Sequence, residues 1–389
     1  MKNLKSALLL LLIAGLFSCA GRVPVKEAEQ LPFPSIEIPG DDFLTIVAVG
    51  DNLYHSAMIH EGEEGDYENA YSEIRQMVKA ADIAFINQET LLAGADFGFS
   101  GYPRFNTPQE LGRAIYLTGF NVINHATNHI MDKGEKAVFA TLDFWDTIPG
   151  TRILGVHRNE EQRRLPVLIQ KNNITVGFLS YTYGTNGIPL PKDKPFLVSL
   201  ADKETMAKEI DALRPLCEFL VVSMHWGEEY RYNYNNTQKD LAVFLAEHGV
   251  DLVLGHHPHV IQPIEYIARA DGKTMLCYYS LGNFISGQTR PQTVMGAMAY
   301  IKLAKNYRGN AGSVFIAEAG SIPLVIHYEK NFTEFKVYPL FSYTEEMAAK
   351  HMLNQQNSEI TIDTLQDLSA GIFGNKELFD NPFAAIMPW

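Results

Sequence analysis

From Phe43 onward the chain alternates short apolar runs with segments of helical period. Residues 44–49 form a β-rich run that stops at Gly50-Asp51. Residues 70–81 place Ile74, Met77, Val78 and Ala81 on one helical face, and residues 83–86 are a second strand ending at Asn87-Gln88-Glu89. Thr107-Pro108-Gln109-Glu110 reads as a helix start with proline in the first turn. A third strand over 122–123 runs into Asn124-His125-Ala126-Thr127-Asn128-His129, and 135–147 is helical again. Residues 166–170 and 174–181 predict a hairpin about Asn172-Asn173. A helix over 203–213 precedes a strand over 219–223 that leads to His225. A helix over 237–248 precedes a strand over 251–254 and then Gly255-His256-His257-Pro258-His259. A second hairpin, 261–267 with 274–281, ends in Gly282-Asn283-Phe284. After Gln288 apolar runs alternate at 297–303, 314–317, 322–328 and 335–339, and beyond Thr344 the pattern is helical. The alternation specifies an α/β fold.

The first residues follow a different rule. Lys2 and Lys5 precede an uninterrupted apolar run over 7–17, then Ser18-Cys19-Ala20-Gly21. That run falls short of the about 20 residues a bilayer span needs and has the layout of a signal peptide. The cysteine among small residues resembles a bacterial lipobox, which makes Cys19 the expected lipidation site. Residues 20–42 hold Pro24, Pro32, Pro34 and Pro39 with no surviving period, as in a semi-rigid tether. The expected organisation is a lipoprotein signal at 1–18, a tether at 19–42, and an α/β body at 43–287. A β-rich extension of the same domain follows at 288–344, then a peripheral helical tail at 345–389.

Charge narrows the partners. Forty-five acidic residues against 32 basic ones give −13 over 389 residues, and loss of residues 1–18 removes two lysines and no acid, leaving −15. A phosphate-tracking surface needs the opposite sign, so nucleic acid is excluded as the main partner. Three cysteines cannot build a disulfide scaffold. Cys217 and Cys277 each lie in an apolar run, which predicts buried free thiols.

The chemistry collects at strand ends. Asp51, Glu89, Asn128 with His129, His225, and His257 with His259 each follow a predicted strand, and in α/β sheets such loops converge on one crevice. For His125 alone, a hydrogen-bonded loop side chain is the expectation. One Asp, one Glu, one Asn and three imidazoles form a thiolate-free ligand set suited to Mn, Fe, Zn or Mg, and six ligands fit two ions better than one. Two ions about 4 Å apart clamp a phosphoryl centre for in-line attack.

The motifs that carry these residues are Val49-Gly50-Asp51, Ile86-Asn87-Gln88-Glu89-Thr90, Asn128-His129-Ile130-Met131-Asp132-Lys133-Gly134 and His225-Trp226-Gly227-Glu228-Glu229-Tyr230. Gly255-His256-His257-Pro258-His259-Val260-Ile261-Gln262 and Ser280-Leu281-Gly282-Asn283-Phe284-Ile285 complete them. Together, over residues 45–286, they resemble the CapA/PgsA family of capsule and poly-γ-glutamate synthesis, within the calcineurin-like metallophosphoesterases. The resemblance implies a sandwich of two packed β-sheets flanked by helices, with C-terminal β-rich additions. It implies Asp51 and His259 on a first divalent metal ion, Asn128, His225 and His257 on a second, Glu89 bridging, and His129 as proton donor. It departs at Asp51-Asn52-Leu53, where phosphoesterases carry Asp-x-His, so the first ion has one imidazole fewer.

Arg104, Trp226 and Tyr230 are further substrate-binding candidates, with a surface ion pair and aromatic packing as the alternatives, and Asp132 is expected to orient an imidazole. Two functions stay open: a surface metallohydrolase acting on a phosphoester or envelope polymer bond, and a non-catalytic lipoprotein that binds or assembles an anionic envelope polymer. Either would work in the cell envelope, outside the cytoplasm, anchored to a bacterial membrane beside polymer synthesis or export membrane proteins.

Overall fold

Two sheets share most of the apolar strand residues. The computed structural model describes residues 42–59, 67–307, 312–356, 358 and 360–374. The expected signal peptide, Cys19 and the tether up to residue 41 lie outside the described residues, as does the tail beyond 374.

The first sheet is built on β1 (Asp42–Leu53), β2 (Ile83–Gln88), β3 (Val122–Asn124) and β4 (Arg152–Leu154), each parallel to its neighbour. The second holds β5 (Val167–Lys171), β6 (Ile174–Thr182), β7 (Phe219–His225), β8 (Leu252–His256), β9 (Ile264–Ala268) and β10 (Thr274–Tyr278), in the order β5-β6-β7-β8-β10-β9. A short β11 (Asn283–Ser286) returns to pair in parallel with β1. Then β12 (Met295–Asn306), β13 (Ser313–His327) and β14 (Lys336–Pro339) extend the first sheet antiparallel, giving β14-β13-β12-β1-β2-β3-β4. Helices Glu345–Lys350 and Ile362–Phe373 follow.

Strand periodicity sorts the core. Phe219 and Val221 of β7, Leu252 and Leu254 of β8, and Leu276 and Tyr278 of β10 join one cluster with Ile46, Ala48 and Phe85 of the first sheet. Their alternates, Leu220, Val222, Val253, Met275 and Cys277, face the opposite way, onto Met206, Ile210, Ala242 and Leu245. Those last four belong to helices Lys203–Leu213 and Asn236–Glu247. Each fully buried Leu, Val or Ile contributes roughly 1.5–3 kcal/mol. The α/β class is the one the alternating pattern predicted, and the two sheets flanked by helices are the layering the resemblance implied. Cys217 and Cys277 are buried and free.

Two hydrogen-bonding cues set local boundaries. Asp202 caps Lys203–Leu213 by accepting from the Thr205 amide, and Asn235 and Gln238 form a reciprocal capping box at Asn236–Glu247.

Candidate metal centre

At the carboxyl ends of β1, β2, β7 and β8 the two sheets are stitched together by the segment that leads from β10 to β11. The Asp51 amide donates to the Gly282 carbonyl at 2.9 Å, and the Leu281 amide donates to the Gly255 carbonyl at 3.0 Å. This crossing needs glycine in both sheets. A Cβ at Gly50 would stand 1.9 Å from the Gly282 oxygen, and one at Gly255 would stand 2.0 Å from the Tyr279 oxygen. The pairing of β1 with both β2 and β11 shifts register beside Asp51, and such a bulge re-aims the side chain at the strand end.

The acidic and imidazole side chains named from sequence meet there. Asp51, Glu89 and His259 offer ligand atoms all within 4.8 Å of one another, and Glu89, His225 and His257 form a second such group that shares Glu89. His259 Nδ1 is 3.0 Å from Asp51 Oδ2, and its Nε2 is 3.9 Å from Glu89 Oε1. His225 Nε2 is 3.8 Å from the same Glu89 oxygen and 2.9 Å from Asn128 Oδ1. Ligands that share an ion at bonds of about 2.1 Å stand about 3–4 Å apart, so these spacings suit a common cation.

The surrounding residues fix the carboxylates. Asn87 donates to Asp51 Oδ1 at 2.7 Å, and Asn124 donates to Asn87 at 2.6 Å. Ser180 of β6 donates in turn to Asn124, completing a buried chain from one sheet to the other. His257 donates its backbone amide to Asp51. His257 (φ 97°) and His259 (φ 58°) both occupy the left-handed region, which costs roughly 1–3 kcal/mol each for non-glycine residues. That strain is held at the residues that converge on Glu89.

Electrostatics identify what the cluster lacks. Glu89 is fully buried and neither carboxylate oxygen has a hydrogen-bond partner among the described residues. Burial, and then the charge of Asp51, raise its carboxyl well above the usual range. Burial also works against ionised Asp51, but the hydrogen bond from His259 and the nearby imidazoles outweigh it and hold that carboxyl below its usual value. Burial opposes charge on His259, while Glu89 and Asp51 together push its imidazole up to about 9. His257 is depressed to about 3 and His225 lies well below its ordinary value, both chiefly through burial. Two neutral imidazoles beside a buried carboxyl that no described residue hydrogen-bonds are a donor set that a divalent cation satisfies, because it supplies positive charge to both carboxylates. The residues fit such an ion.

His129 stands beside this group. Its Nδ1 is 2.7 Å from Asp132 Oδ2, which also accepts the Phe105 amide at 2.8 Å. The Phe105 ring meets the His129 ring edge-on at 4.7 Å. Asp132 therefore orients the imidazole and leaves Nε2 as its free nitrogen. Asn128 Nδ2 donates to Asn186, whose own amide nitrogen is 3.4 Å from His129 Nδ1.

Other candidates separate. Tyr230 is half-buried at the rim, its ring 6.1 Å from His259. Arg104 is exposed on the loop before Phe105. Trp226 is corrected: it is 2 % exposed, donates Nε1–H to the Tyr279 carbonyl and stacks on the Tyr279 ring, so it packs the fold and cannot reach substrate. His125 accepts from Trp145 Nε1, as a structural loop histidine. His256 stacks on Phe85 with neither ring nitrogen hydrogen-bonded among the described residues and Nδ1 3.8 Å from Asp51 Oδ1, outside both carboxylate–imidazole groups. Sequence reasoning missed Tyr183, whose ring lies 4.7 Å from His257, and Asn283, whose Oδ1 is 3.0 Å from His259 Nδ1. The Gly282-Asn283-Phe284 motif held the signal for Asn283; Tyr183 has none. A separate groove of about 460 Å³ between Glu160–Arg164 and Lys203–Leu213 contains none of these residues. The site is picked out by its chemistry, not by volume.

Known proteins supply the family. The PGA biosynthesis protein CapA of Bacillus subtilis is 27 % identical over 284 residues, covering 71 % of this chain and 72 % of its own. The capsule biosynthesis protein CapA of Bacillus anthracis is 29 % identical over 203 residues, covering 51 % of this chain and 48 % of its own. Among solved structures, the NAD nucleotidase of Haemophilus influenzae aligns with a TM-score of 0.45 at 10 % identity, over 88 % of this chain and 57 % of that one. The family described as bacterial capsule synthesis protein PGA_cap matches residues 45–288, the span from β1 to just past β11 that builds the whole cluster, and the chain belongs to that family.

Proposed function

We propose that this chain is an envelope accessory protein for synthesis or export of a poly-γ-glutamate-type capsule polymer, with a divalent-metal centre that hydrolyses a phosphoester or polymer bond. The observation that carries the metal reading is the buried Glu89 carboxyl, without a hydrogen-bond partner among the described residues and ringed by His225, His257, His259 and Asp51. Asp51, His259 and Glu89 would hold one cation, and Asn128, His225, His257 and Glu89 a second. A cation there supplies Lewis-acid stabilisation of charge developing on a phosphoryl or carbonyl oxygen.

The chain's own groups do the rest. His129, fixed through Nδ1 by Asp132, would deliver a proton from Nε2 to the leaving oxygen. Tyr230 and Arg290, whose guanidinium carbon stands 4.0 Å from the Tyr230 ring centroid, give the rim an aromatic face and a cation for an anionic substrate. The names of the Bacillus relatives support the capsule polymer as that substrate's source. Cys19 would tether the body to the membrane through lipid, and no helix among the described residues is long and apolar enough to cross one.

A second reading keeps the fold for binding without turnover, and Leu53 in place of an imidazole favours it. His129→Ala decides between them. As an enzyme it should keep its metal and lose about 10²–10⁴-fold in turnover of an activated phosphodiester, and fail to restore capsule to a deletion strain. Glu89→Ala should lose metal and activity together. Full capsule rescue by a hydrolytically dead His129→Ala chain would refute the enzyme. Lipid-precursor labelling that survives Cys19→Ala would refute the anchor.

A further inference from the structure

The loop after β7 carries a carboxylate not used above. Glu229 is exposed, yet one of its oxygens lies within 4.8 Å of a ring nitrogen of both His257 and His259. Its backbone is built to reach them. Gly227 (φ 92°) and Tyr230 (φ 64°) both adopt the left-handed region and fold residues 227–230 back over the His256–His259 loop. The Trp226 amide donates to the His256 carbonyl at 3.0 Å, and the Tyr230 amide to the Pro258 carbonyl at 2.7 Å. Gln262 Nε2 ties down the far end by donating to the Arg231 carbonyl at 2.7 Å. A non-glycine residue at positive φ is costly, and here it sets the position of the preceding carboxylate.

Two further observations point to a ligand. His257 Nδ1 is buried without a hydrogen-bond partner among the described residues. On the Asp51 side the ligand group among the described residues is Asp51, Glu89 and His259, with His256 Nδ1 outside it at 3.8 Å from Asp51 Oδ1, and Leu53, 2 % exposed and apolar, offers no donor atom. Three ligands leave even a tetrahedral ion incomplete.

We propose that Glu229 is a further metal ligand, closing the centre on its open face where the Asp51 side is one imidazole short. This rests on the metal-centre reading above. An anionic oxygen in place of a neutral nitrogen makes the donor set harder and shifts its preference towards Mn²⁺ or Mg²⁺ and away from Zn²⁺. Because the carboxylate is exposed, an anionic substrate oxygen can displace it without disturbing the buried ligands.

The test is Mn²⁺ titration by calorimetry, with metal content measured after dialysis, on the full chain in detergent. Glu229→Gln should weaken Mn²⁺ binding by about tenfold or more, or remove one ion per chain. Its melting temperature in chelator should match the wild type, since Glu229 is exposed. Glu228→Gln is the control, because Glu228 faces Arg231 at 3.8 Å and Asn235 at 3.3 Å; it should bind as wild type. Unchanged binding in Glu229→Gln beside a defective Glu89→Gln overturns this proposal and leaves the centre standing. An equal loss in Glu228→Gln also overturns it, as an effect of loop charge alone. Binding that survives Glu89→Gln as well refutes the centre itself.

Discussion

Replacing Glu89 by glutamine distinguishes a carboxylate that supports the fold from one whose purpose is to hold a cation. Without an ion, burial and then Asp51 raise the Glu89 carboxyl well above its usual range, and neither oxygen accepts a hydrogen bond among the described residues. Glutamine is neutral and nearly the same size, so the exchange deletes no hydrogen bond among the described residues and gives up only long ion pairs, to His225 at 3.8 Å and His259 at 3.9 Å. Stability in chelator should change by no more than about 1 kcal/mol. Mn²⁺ at about 100 times its dissociation constant should stabilise the wild type by about 2.7 kcal/mol. For a domain of this size that is a rise in Tm on the order of 5 °C. The variant should lose most of that rise. Scanning calorimetry of both proteins, in chelator and across a Mn²⁺ titration, reads both numbers. A variant that melts far below wild type in chelator yet shifts equally with Mn²⁺ would refute the reasoning, making Glu89 a structural acid.

Three further outcomes follow from single contacts. Gly255→Ala should destabilise by about 1–3 kcal/mol in urea melts, because its Cβ would stand 2.0 Å from the Tyr279 carbonyl oxygen; an unchanged midpoint would show that the crossing is loose. Asp132→Asn should keep its metal while losing at least about 100-fold in turnover of an activated phosphodiester, and wild-type rates would end its orienting role. His351 accepts the Leu353 amide on Nδ1 and faces the Ile326 carbonyl with Nε2; burial, aided by His327, lowers it from 6.5 to about 4 despite that carbonyl. The unfolded chain therefore takes up this proton first, so its contribution is complete above pH 6.5 and is lost as pH falls towards 4. It amounts to about 3 kcal/mol. His351→Gln should narrow the stability gap between pH 7 and pH 4 by up to that amount, and an undiminished gap would refute the assignment.

The parts of the fold that read out of the sequence are those with a period of their own. The runs at 44–49, 83–86, 219–223 and 251–254 became β1, β2, β7 and β8, and each ends within three residues of a side chain in the cluster. The sequence reading missed β4 and β11, which have three and four residues and exist only through partners distant in the chain. The line from Ser180 through Asn124 and Asn87 to Asp51 was equally hidden, because a side-chain relay across four strands has no sequence spacing to betray it. Trp226 misled for the opposite reason. It neighbours His225 in the chain, but strand alternation turns it to the other face, onto Tyr279.

The antiparallel extension has a consequence for anyone trimming this protein to its family-matched residues. β12 pairs with β1 from Asp42↔Lys305 to Val49↔Met298, flanking the strand that carries Asp51. A chain cut at residue 288 would leave that flank bare: a long edge of unpaired amides and carbonyls on a strand containing Leu44, Ile46, Val47, Ala48 and Val49. Such an edge recruits strands from other molecules. The shortened chain should assemble into aggregates and not report on the site, so the smallest usable unit runs through β14.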